Sequence, residues 1–225
     1  MKNTPKINIL YEDNHILVVE KPPNVLTQSD ITGDEDLLTL LKEDLKQRYN
    51  KPGNVYLGLV HRLDRPVGGT MVFAKTSKSA SRLSDQIRKG EFHKAYMAVI
   101  HGSPEQLSGM LKNFLVKDEA TNIVRVTQVP EEGKAAVLEY EVSGSKESLS
   151  LVKIKLHTGR SHQIRVQLAH MGHPIYGDQK YGASMNKPGM QLALWSAEIG
   201  FSHPTLRQQL FFASQPPSEF PWNIF

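Results

Sequence analysis

The sequence contains no cysteine, which excludes a disulfide framework, thiolate catalysis and a cysteine-ligated zinc site. It also lacks an apolar run long enough for a signal-peptide core or a membrane span, since the stretch that begins at Ile7 is interrupted by Glu12, Asp13 and Asn14. No internal repeat or low-complexity tract is present. We therefore expect a reducing compartment and no membrane contact, and we predict a cytoplasmic location.

The sequence also lacks a strong excess of positive or negative charge. Lys and Arg total 27 against 23 Asp and Glu, a net charge of +4. A positive net charge favours a polyanionic partner. Alone it is a weak indication, because the surfaces of many soluble proteins are mildly basic. The length of 225 residues and the 39% of hydrophobic residues fit one domain with an ordinary core, predicted to cover residues 1–225.

Hydrophobic patterning predicts both strands and helices. Helices are expected at 36–49, where leucines recur at helical spacing, from a cap at Ser77 to about Lys89, with Gly90 past its end, and within 161–171. Strands are expected at 7–11, 15–20, 55–60, 70–74, 93–100, 123–129, 135–142, 149–156, 190–201 and 206–212. Because the strands outnumber the helices and do not alternate with them, an α+β fold on a mostly antiparallel sheet is predicted.

Polar and charged side chains cluster where predicted strands end or a helix begins, as functional groups often do. These clusters are His61-Arg62-Leu63-Asp64, Tyr96, and Thr158-Gly159-Arg160 with His162, Gln163 and Arg165. Such clustering indicates a site.

These residues carry a resemblance. His61-Arg62-Leu63-Asp64, followed by Gly68-Gly69 and Ala74-Lys75-Thr76, resembles the signature of the RluA family of pseudouridine synthases. Three further segments of this chain resemble the other blocks of the family. They are Ile9–Asp13 with Val18–Pro22, Lys94-Ala95-Tyr96, and Thr158–Arg165, the last continued by His173–Ile175, Gly177-Asp178 and Tyr181-Gly182. All occur in family order, and together they cover about residues 7–212.

The resemblance implies a fold and an activity. The fold would be a bipartite mixed sheet, mostly antiparallel, with flanking helices and a central catalytic cleft. The activity would be isomerisation of uridine in transfer or ribosomal RNA by a monomer. The family-like blocks begin near residue 7, so we expect a single-domain member without the S4 domain that many relatives carry. No cofactor or metal is expected, because the reaction neither oxidises the substrate nor loses a group.

Asp64 is the candidate catalytic carboxylate, since an ionised carboxylate can support a broken glycosidic bond covalently. Attack on the base, attack on the ribose and removal of the ribose 2-proton all remain open as its role. By the same resemblance, Arg165 supplies the cation that keeps Asp64 ionised. Tyr96 is placed against the target base, where its ring can stack and its hydroxyl can transfer a proton.

Substrate binding is assigned by the resemblance to a second group of residues. Arg62 would occupy the space in the RNA helix that the flipped uridine leaves. The other candidates in this group are His61, Arg160, His162 and Gln163, with His162 as a structural hydrogen-bonding residue. The stretch 62–94 is basic and could track an RNA backbone or simply be a solvated face; its basic residues are Arg62, Arg65, Lys75, Lys78, Arg82, Arg88, Lys89 and Lys94.

One segment departs from the family pattern. Relatives commonly have Thr-Ser-Gly or Ser-Gly soon after the aspartate, whereas this chain has Arg65-Pro66-Val67-Gly68-Gly69. Gly68-Gly69 is predicted to form a tight turn, because the Gly-Lys-Ser/Thr ending of a phosphate loop is absent. Pro66 stiffens this segment, and hydrogen bonds from the missing hydroxyls cannot form. We therefore expect a difference in target choice.

Three other interpretations were weighed. A metal site built from His157, His162, His170 and His173 is disfavoured, because their spacing matches no ligand motif. A catalytically silent RNA-binding or ribosome-assembly protein of the same fold is the main alternative, although the presence of Asp64, Tyr96 and Arg165 argues against it. A glycoside hydrolase would need a second carboxylate, and the motifs offer only Asp178, in a Gly-Asp turn.

Overall fold

The computed structural model describes residues 7–225, so residues 1–6 of the predicted domain lie outside the described part. Within it, three helices and eleven strands follow one another along the chain. They are β1 (Asn8–Glu12), β2 (Ile16–Lys21), α1 (Leu37–Arg48), β3 (Gly58–Leu59), β4 (Gly68–Ala74), α2 (Ser77–Lys89), β5 (His93–His101), β6 (Ser108–Asp118), β7 (Ile123–Thr127), β8 (Lys134–Lys146), β9 (Leu149–Leu156), α3 (Gln163–His170), β10 (Leu194–Ser202) and β11 (Gln209–Ala213).

The chain forms two compact units. The first contains the residues up to His93 together with Ser196–Gln215, and the second contains Lys94–Trp195 and Pro216–Phe225. In the first unit β2 pairs antiparallel with β1 and β4, β3 pairs with β4, and β11 pairs with β10, which lies beside β4. In the second unit β5, β9, β8, β6 and β7 pair antiparallel in that order. The predicted α+β class with mostly antiparallel strands is confirmed.

Each unit has its own hydrophobic cluster. In the first, β2, β4 and β10 bury aliphatic side chains under α2, and the members are Ile16, Val18, Val72, Ala74, Leu83, Phe92, Ile199 and Phe201. In the second, Val166 of α3 packs on Leu115, Val124 and Ala136 of the strands. The helix α3 is thus fixed on the sheet that precedes it in the chain.

The helices begin and end close to where the sequence places them. Asp36 caps α1 by accepting a hydrogen bond from the Thr39 amide at 3.0 Å, and the buried leucines of α1 lie on one face. The cap of α2 is Thr76 rather than Ser77, because the Thr76 hydroxyl accepts the Ser79 amide. Gly90 ends this helix with a φ of 75°, a left-handed conformation that glycine adopts without strain.

Three sequence expectations for the strands are corrected. Only Gly58–Leu59 of the predicted strand 55–60 is paired, and the long strand Ser108–Asp118 was not predicted, because its polar residues at 112, 113 and 117 hide the alternation. Gly68 and Gly69, predicted as a tight turn, open β4 instead. A Cβ on Gly69 would lie 2.2 Å from the Ser196 carbonyl oxygen, so glycine is needed there for a close approach of two strands.

Candidate active site

Asp64 lies in a turn of the first unit between β3 and β4. The Val67 amide donates to the Asp64 carbonyl at 3.0 Å and closes this turn. On the other side, Leu63 is buried, its carbonyl accepts the Thr27 hydroxyl at 2.8 Å, and its amide donates back to the same oxygen at 3.3 Å. The main chain is therefore held both before and after the half-buried Asp64 carboxylate.

Lys21 is the residue beneath this turn, and its side chain is fully buried. Its Nζ donates to three carbonyl oxygens, those of Pro22 at 3.1 Å, Arg65 at 3.1 Å and Val67 at 2.7 Å. Three acceptors match the three hydrogens of an ammonium group. Burial lowers the pKa of Lys21 to about 7, while the charge of Asp64 acts in the opposite direction and favours the ammonium.

Sequence reasoning missed Lys21 as a site residue. The resemblance includes it in the opening block but assigns no role to it. What marks it is the depth of its burial, since an uncompensated lysine is almost never fully buried. That depth is a property of the packing and is not visible in the sequence.

Replacing Lys21 by Met should destabilise the fold by roughly 2 kcal/mol, because carbonyl oxygens of the turn lose their donor while the methionine still fills the space. Urea unfolding of both proteins measures the difference. A loss of stability below roughly 0.5 kcal/mol would show that the carbonyls find other donors.

This loss should also depend on pH. The folded Lys21 releases its proton near pH 7 and the unfolded lysine near 10.5, so between these values the unfolded state binds more protons. The contribution of Lys21 to stability therefore rises with pH over that window and is lost as the pH falls toward 7. We expect a larger difference between wild type and Lys21→Met at about pH 9 than at about pH 7.

His61 and Arg62 precede Asp64 and have different surroundings. His61 Nε2 accepts the Val72 amide at 3.0 Å, and its ring centroid lies 5.5 Å from that of Phe92, so this residue fixes the segment on β4. Arg62 is exposed, and its side chain has no hydrogen bond or ion pair with any residue of the range 7–225. Its guanidinium is available for a ligand.

Arg65 follows Asp64 and extends from the turn. Its Nη1 lies 2.8 Å from Asp34 Oδ2, and its Nε donates to the Asn24 carbonyl at 3.2 Å. Both side chains of the ion pair are about half exposed, 46% for Arg65 and 50% for Asp34. Arg65, in the segment that departs from the family pattern, thus links the Asp64 turn to the loop 24–35.

Arg165 in the second unit makes a buried bidentate ion pair. Its Nε and Nη2 lie 2.8 Å from the two carboxylate oxygens of Asp178, and its guanidinium carbon lies 5.2 Å from the centre of the Tyr181 ring. Asp178 also accepts the amides of Lys180 and Tyr181. Sequence reasoning treated Asp178 only as a turn residue, although it lies in the third family-like block. With both oxygens engaged, Asp178 is poorly suited to be the second acid of a hydrolase.

His162 and Tyr181 extend this network. His162 has a left-handed φ of 51° at the start of α3, and its Nδ1 lies 2.6 Å from the Tyr181 hydroxyl. That hydroxyl also accepts the Val124 amide of β7 at 2.9 Å. The helix start is thereby tied to the sheet of its own unit.

Gln163 and Arg160 hold the loop before α3. The buried Gln163 Oε1 accepts the Thr158 hydroxyl at 2.7 Å and the Arg160 amide at 3.0 Å, and its Nε2 donates to the Val137 carbonyl. Arg160 is exposed and donates through Nε to the Ala135 carbonyl at 2.9 Å. Gln163 therefore shapes the loop, and Arg160 presents its remaining N–H groups to solvent.

Tyr96 lies on β5 opposite Ile154 and is only 8% exposed. Lys94, two residues earlier, shares this face of the strand, and burial lowers the pKa of its ammonium. A Cβ on Gly159 would lie 3.4 Å from Lys94 Nζ, which places this lysine against the loop that carries Arg160. Lys94 belongs to the family-like block and to the basic stretch 62–94, but the sequence predicts no role for it at the catalytic site.

The predicted residues thus form two groups. His61, Arg62 and Asp64 lie together in the first unit, whereas Tyr96, Arg160, His162, Gln163 and Arg165 belong to the second. Their roles in catalysis and binding stay predictions.

No group of three or more His, Cys, Asp or Glu side chains is arranged to hold a metal ion in the part of the chain from 7 to 225. Three of the histidines considered for a metal site have other partners: His162 contacts the Tyr181 hydroxyl, His157 Nε2 lies 2.7 Å from Glu139, and His173 Nδ1 lies 2.9 Å from the His101 carbonyl oxygen. None of the helices among these residues has the length and apolarity to cross a bilayer.

Comparison with known proteins identifies the family. A model of the RNA pseudouridylate synthase family matches residues 15–170. The chain belongs to this family. The RluA-type resemblance seen in the motif residues is thereby confirmed, and so is the predicted enzyme class, an isomerase acting on uridine in RNA.

Curated relatives of this synthase resemble it over nearly its whole length. The uncharacterized RNA pseudouridine synthase YjbO of Bacillus subtilis is 33% identical over 214 residues, which are 95% of this chain and 74% of the relative. Ribosomal large subunit pseudouridine synthase C of Haemophilus ducreyi is 32% identical over 213 residues, 92% of this chain and 65% of the relative. The chain therefore spans about two thirds to three quarters of these relatives.

Solved structures agree on the fold. The structure of human RNA pseudouridylate synthase domain containing 4 matches this chain with a TM-score of 0.78 and 23% sequence identity. The match covers 93% of this chain and 88% of the human chain. Human RNA pseudouridylate synthase domain containing 1 has a TM-score of 0.76 at 21% identity, with coverages of 99% and 89%. The architecture of this synthase is thus that of its family.

Proposed function

We propose that this protein converts specific uridines of ribosomal or transfer RNA to pseudouridine, with the carboxylate of Asp64 as the essential catalytic group. The observation that carries this proposal is the local geometry of Asp64. Its turn is closed by Val67, anchored through Leu63 and supported by the buried Lys21. A half-buried carboxylate on a fixed main chain, beside an exposed arginine, is suited to meet an extruded nucleotide.

The isomerisation itself needs few other groups. The bond from ribose carbon 1 to nitrogen 1 of the base breaks, the uracil turns, and carbon 5 forms the new bond while its proton is lost and nitrogen 1 gains one. Because atoms and electrons balance within the nucleotide, no external cofactor is needed. The negative charge of Asp64 supports the separated sugar, either covalently or as a counter-ion.

Other residues have the roles that the resemblance implies. We propose that Tyr96 stacks on the target base and that Arg165 supplies the cation that favours an ionised Asp64. The bidentate pair with Asp178 supports this role for Arg165, because it sets the plane and position of the guanidinium. Arg62 and Arg160 are proposed to bind the RNA, which agrees with their exposed guanidinium groups.

Among RNA substrates, the relatives favour ribosomal RNA. Two curated relatives from different bacteria, those of Haemophilus ducreyi and Xylella fastidiosa, are named as synthases of the large ribosomal subunit. We propose accordingly that large-subunit ribosomal RNA is the first substrate to examine and transfer RNA the second. A cytoplasmic monomer is the form proposed to act.

The test is a direct conversion assay. Purified protein is incubated with unmodified transcripts of large-subunit ribosomal RNA and of transfer RNAs, and new pseudouridines are mapped by sequencing. Conversion at a few defined uridines of one RNA class is the expected result. Tight RNA binding without any conversion would instead favour the catalytically silent alternative and overturn the proposal.

A further inference from the structure

Arg65 combines a fixed backbone with a displaceable side chain. Its carbonyl accepts the hydrogen bond from the buried Lys21, so the main chain next to Asp64 is held in place. Its guanidinium extends into solvent toward Asp34 and the Asn24 carbonyl. Only the side chain can respond when a ligand arrives.

The ion pair with Asp34 is of the kind that exchanges readily. Both side chains are about half exposed, and ion pairs with this exposure contribute little to stability. The recorded contacts use the Nε hydrogen and one Nη1 hydrogen, which leaves three of the five donors. A phosphate group offers a better partner, because a guanidinium can bind two of its oxygens at once.

The position of Arg65 limits which phosphate this would be. Consecutive Cα atoms are about 3.8 Å apart, so a nucleotide whose sugar meets Asp64 brings its own flanking phosphates close to Arg65. We propose that Arg65 binds a backbone phosphate of the RNA at the target nucleotide, and that Asp34 holds its guanidinium until the RNA displaces it. This inference rests on the proposed function.

The charge of the neighbouring loop adds a reason for such an arrangement. Residues 28–35 carry Asp30, Asp34 and Glu35, which alone would repel an RNA backbone. Hydrogen bonds from Thr32 and the charge of Arg65 lower the pKa of Asp30, which favours its ionised form. Arg65 therefore supplies the cation that lets a phosphate approach on the Asp64 side of the loop.

The experiment is a double-mutant cycle on RNA affinity. Dissociation constants are measured over a range of salt concentrations for wild type, Arg65→Ala, Asp34→Asn and the double variant, with the transcript that the wild type modifies. Arg65→Ala should weaken binding about tenfold and reduce the slope of log affinity against log salt by about one. Asp34→Asn should strengthen binding about threefold, because it frees Arg65. In the Arg65→Ala background the same change should have an effect below about 1.5-fold.

Asp44→Asn is the matched control. Asp44 also forms an exposed ion pair with an arginine, Arg48, so the variant removes the same charge from a similar pair. Its affinity for the transcript should stay within about 1.5-fold of wild type. If Asp44→Asn and Asp34→Asn strengthened RNA binding equally, the change in net charge alone would explain the higher affinity, and the inference would be overturned.

Two further outcomes would overturn it. One is an unchanged salt slope in Arg65→Ala, and the other is an equal effect of Asp34→Asn with and without Arg65. Either result, in a protein that converts uridine, removes only the role of Arg65. A wild-type protein that converts no uridine removes the proposed function itself, so the two failures are distinguishable.

Discussion

Asp64→Asn should lower pseudouridine formation by at least about a thousandfold while RNA affinity stays within about threefold of wild type. The amide keeps the shape of the side chain, so the turn from Asp64 to Val67 can form as before. It cannot act as a nucleophile, a proton acceptor or a counter-ion for the separated sugar. Single-turnover conversion and equilibrium binding, measured on the same transcript, separate the two effects.

Two controls accompany this variant, a matched substitution elsewhere and a test that the variant is folded. Asp44→Asn makes the same substitution at an exposed position of α1 and should keep wild-type conversion. Burial lowers the pKa of Lys21 and the charge of Asp64 partly opposes this, so unfolding curves should also be recorded to show that Asp64→Asn is folded under assay conditions. Undiminished conversion by folded Asp64→Asn would end the proposal that this carboxylate is essential.

Asp178→Asn should destabilise the protein by about 3 to 5 kcal/mol, the largest effect on stability that we expect. The carboxylate is fully buried and binds both Nε and Nη2 of Arg165. An asparagine directs one N–H₂ group toward these donors, so the buried guanidinium loses its compensating charge and one acceptor. Urea unfolding followed by circular dichroism measures the loss.

A comparison with an exposed pair gives the scale for this effect. Asp44→Asn breaks the exposed pair with Arg48 and should cost about 0.5 kcal/mol or less, since Arg48 keeps its ion pair with Glu12 and water can replace Asp44. If Asp178→Asn costs no more than this control, the Arg165–Asp178 pair is not what holds the start of α3. A large loss of stability with retained conversion would instead limit the pair to a structural role.

Most of the local structure could be predicted because its causes are local. Leucine spacing predicted α1, and Gly90 marked the end of α2. The strand β6 was missed for the opposite reason, since its polar residues at 112, 113 and 117 obscure the alternation that identifies a half-buried strand. What decides its conformation is the ladder with β8, whose residues lie further along the chain.

At the candidate site, too, local features could be predicted and long-range contacts could not. The sequence identified Asp64, Tyr96 and Arg165 through blocks whose order and spacing resemble those of the family. It did not reveal which groups hold them. The partner of Arg165 is thirteen positions away, and the carbonyl of Arg65 accepts a hydrogen bond from a lysine 44 positions away.

By itself, the sequence determined the class of the fold, the family and the identity of the chemical groups, because these depend on residue type, local periodicity and motif order. Only the tertiary structure decided that Lys21 is buried beneath the Asp64 turn, that Asp178 pairs with Arg165, and that Arg65 reaches Asp34. The physical reason is that burial and pairing depend on the packing of segments far apart in the chain, and the energy of a charge depends on that environment rather than on its neighbours in sequence.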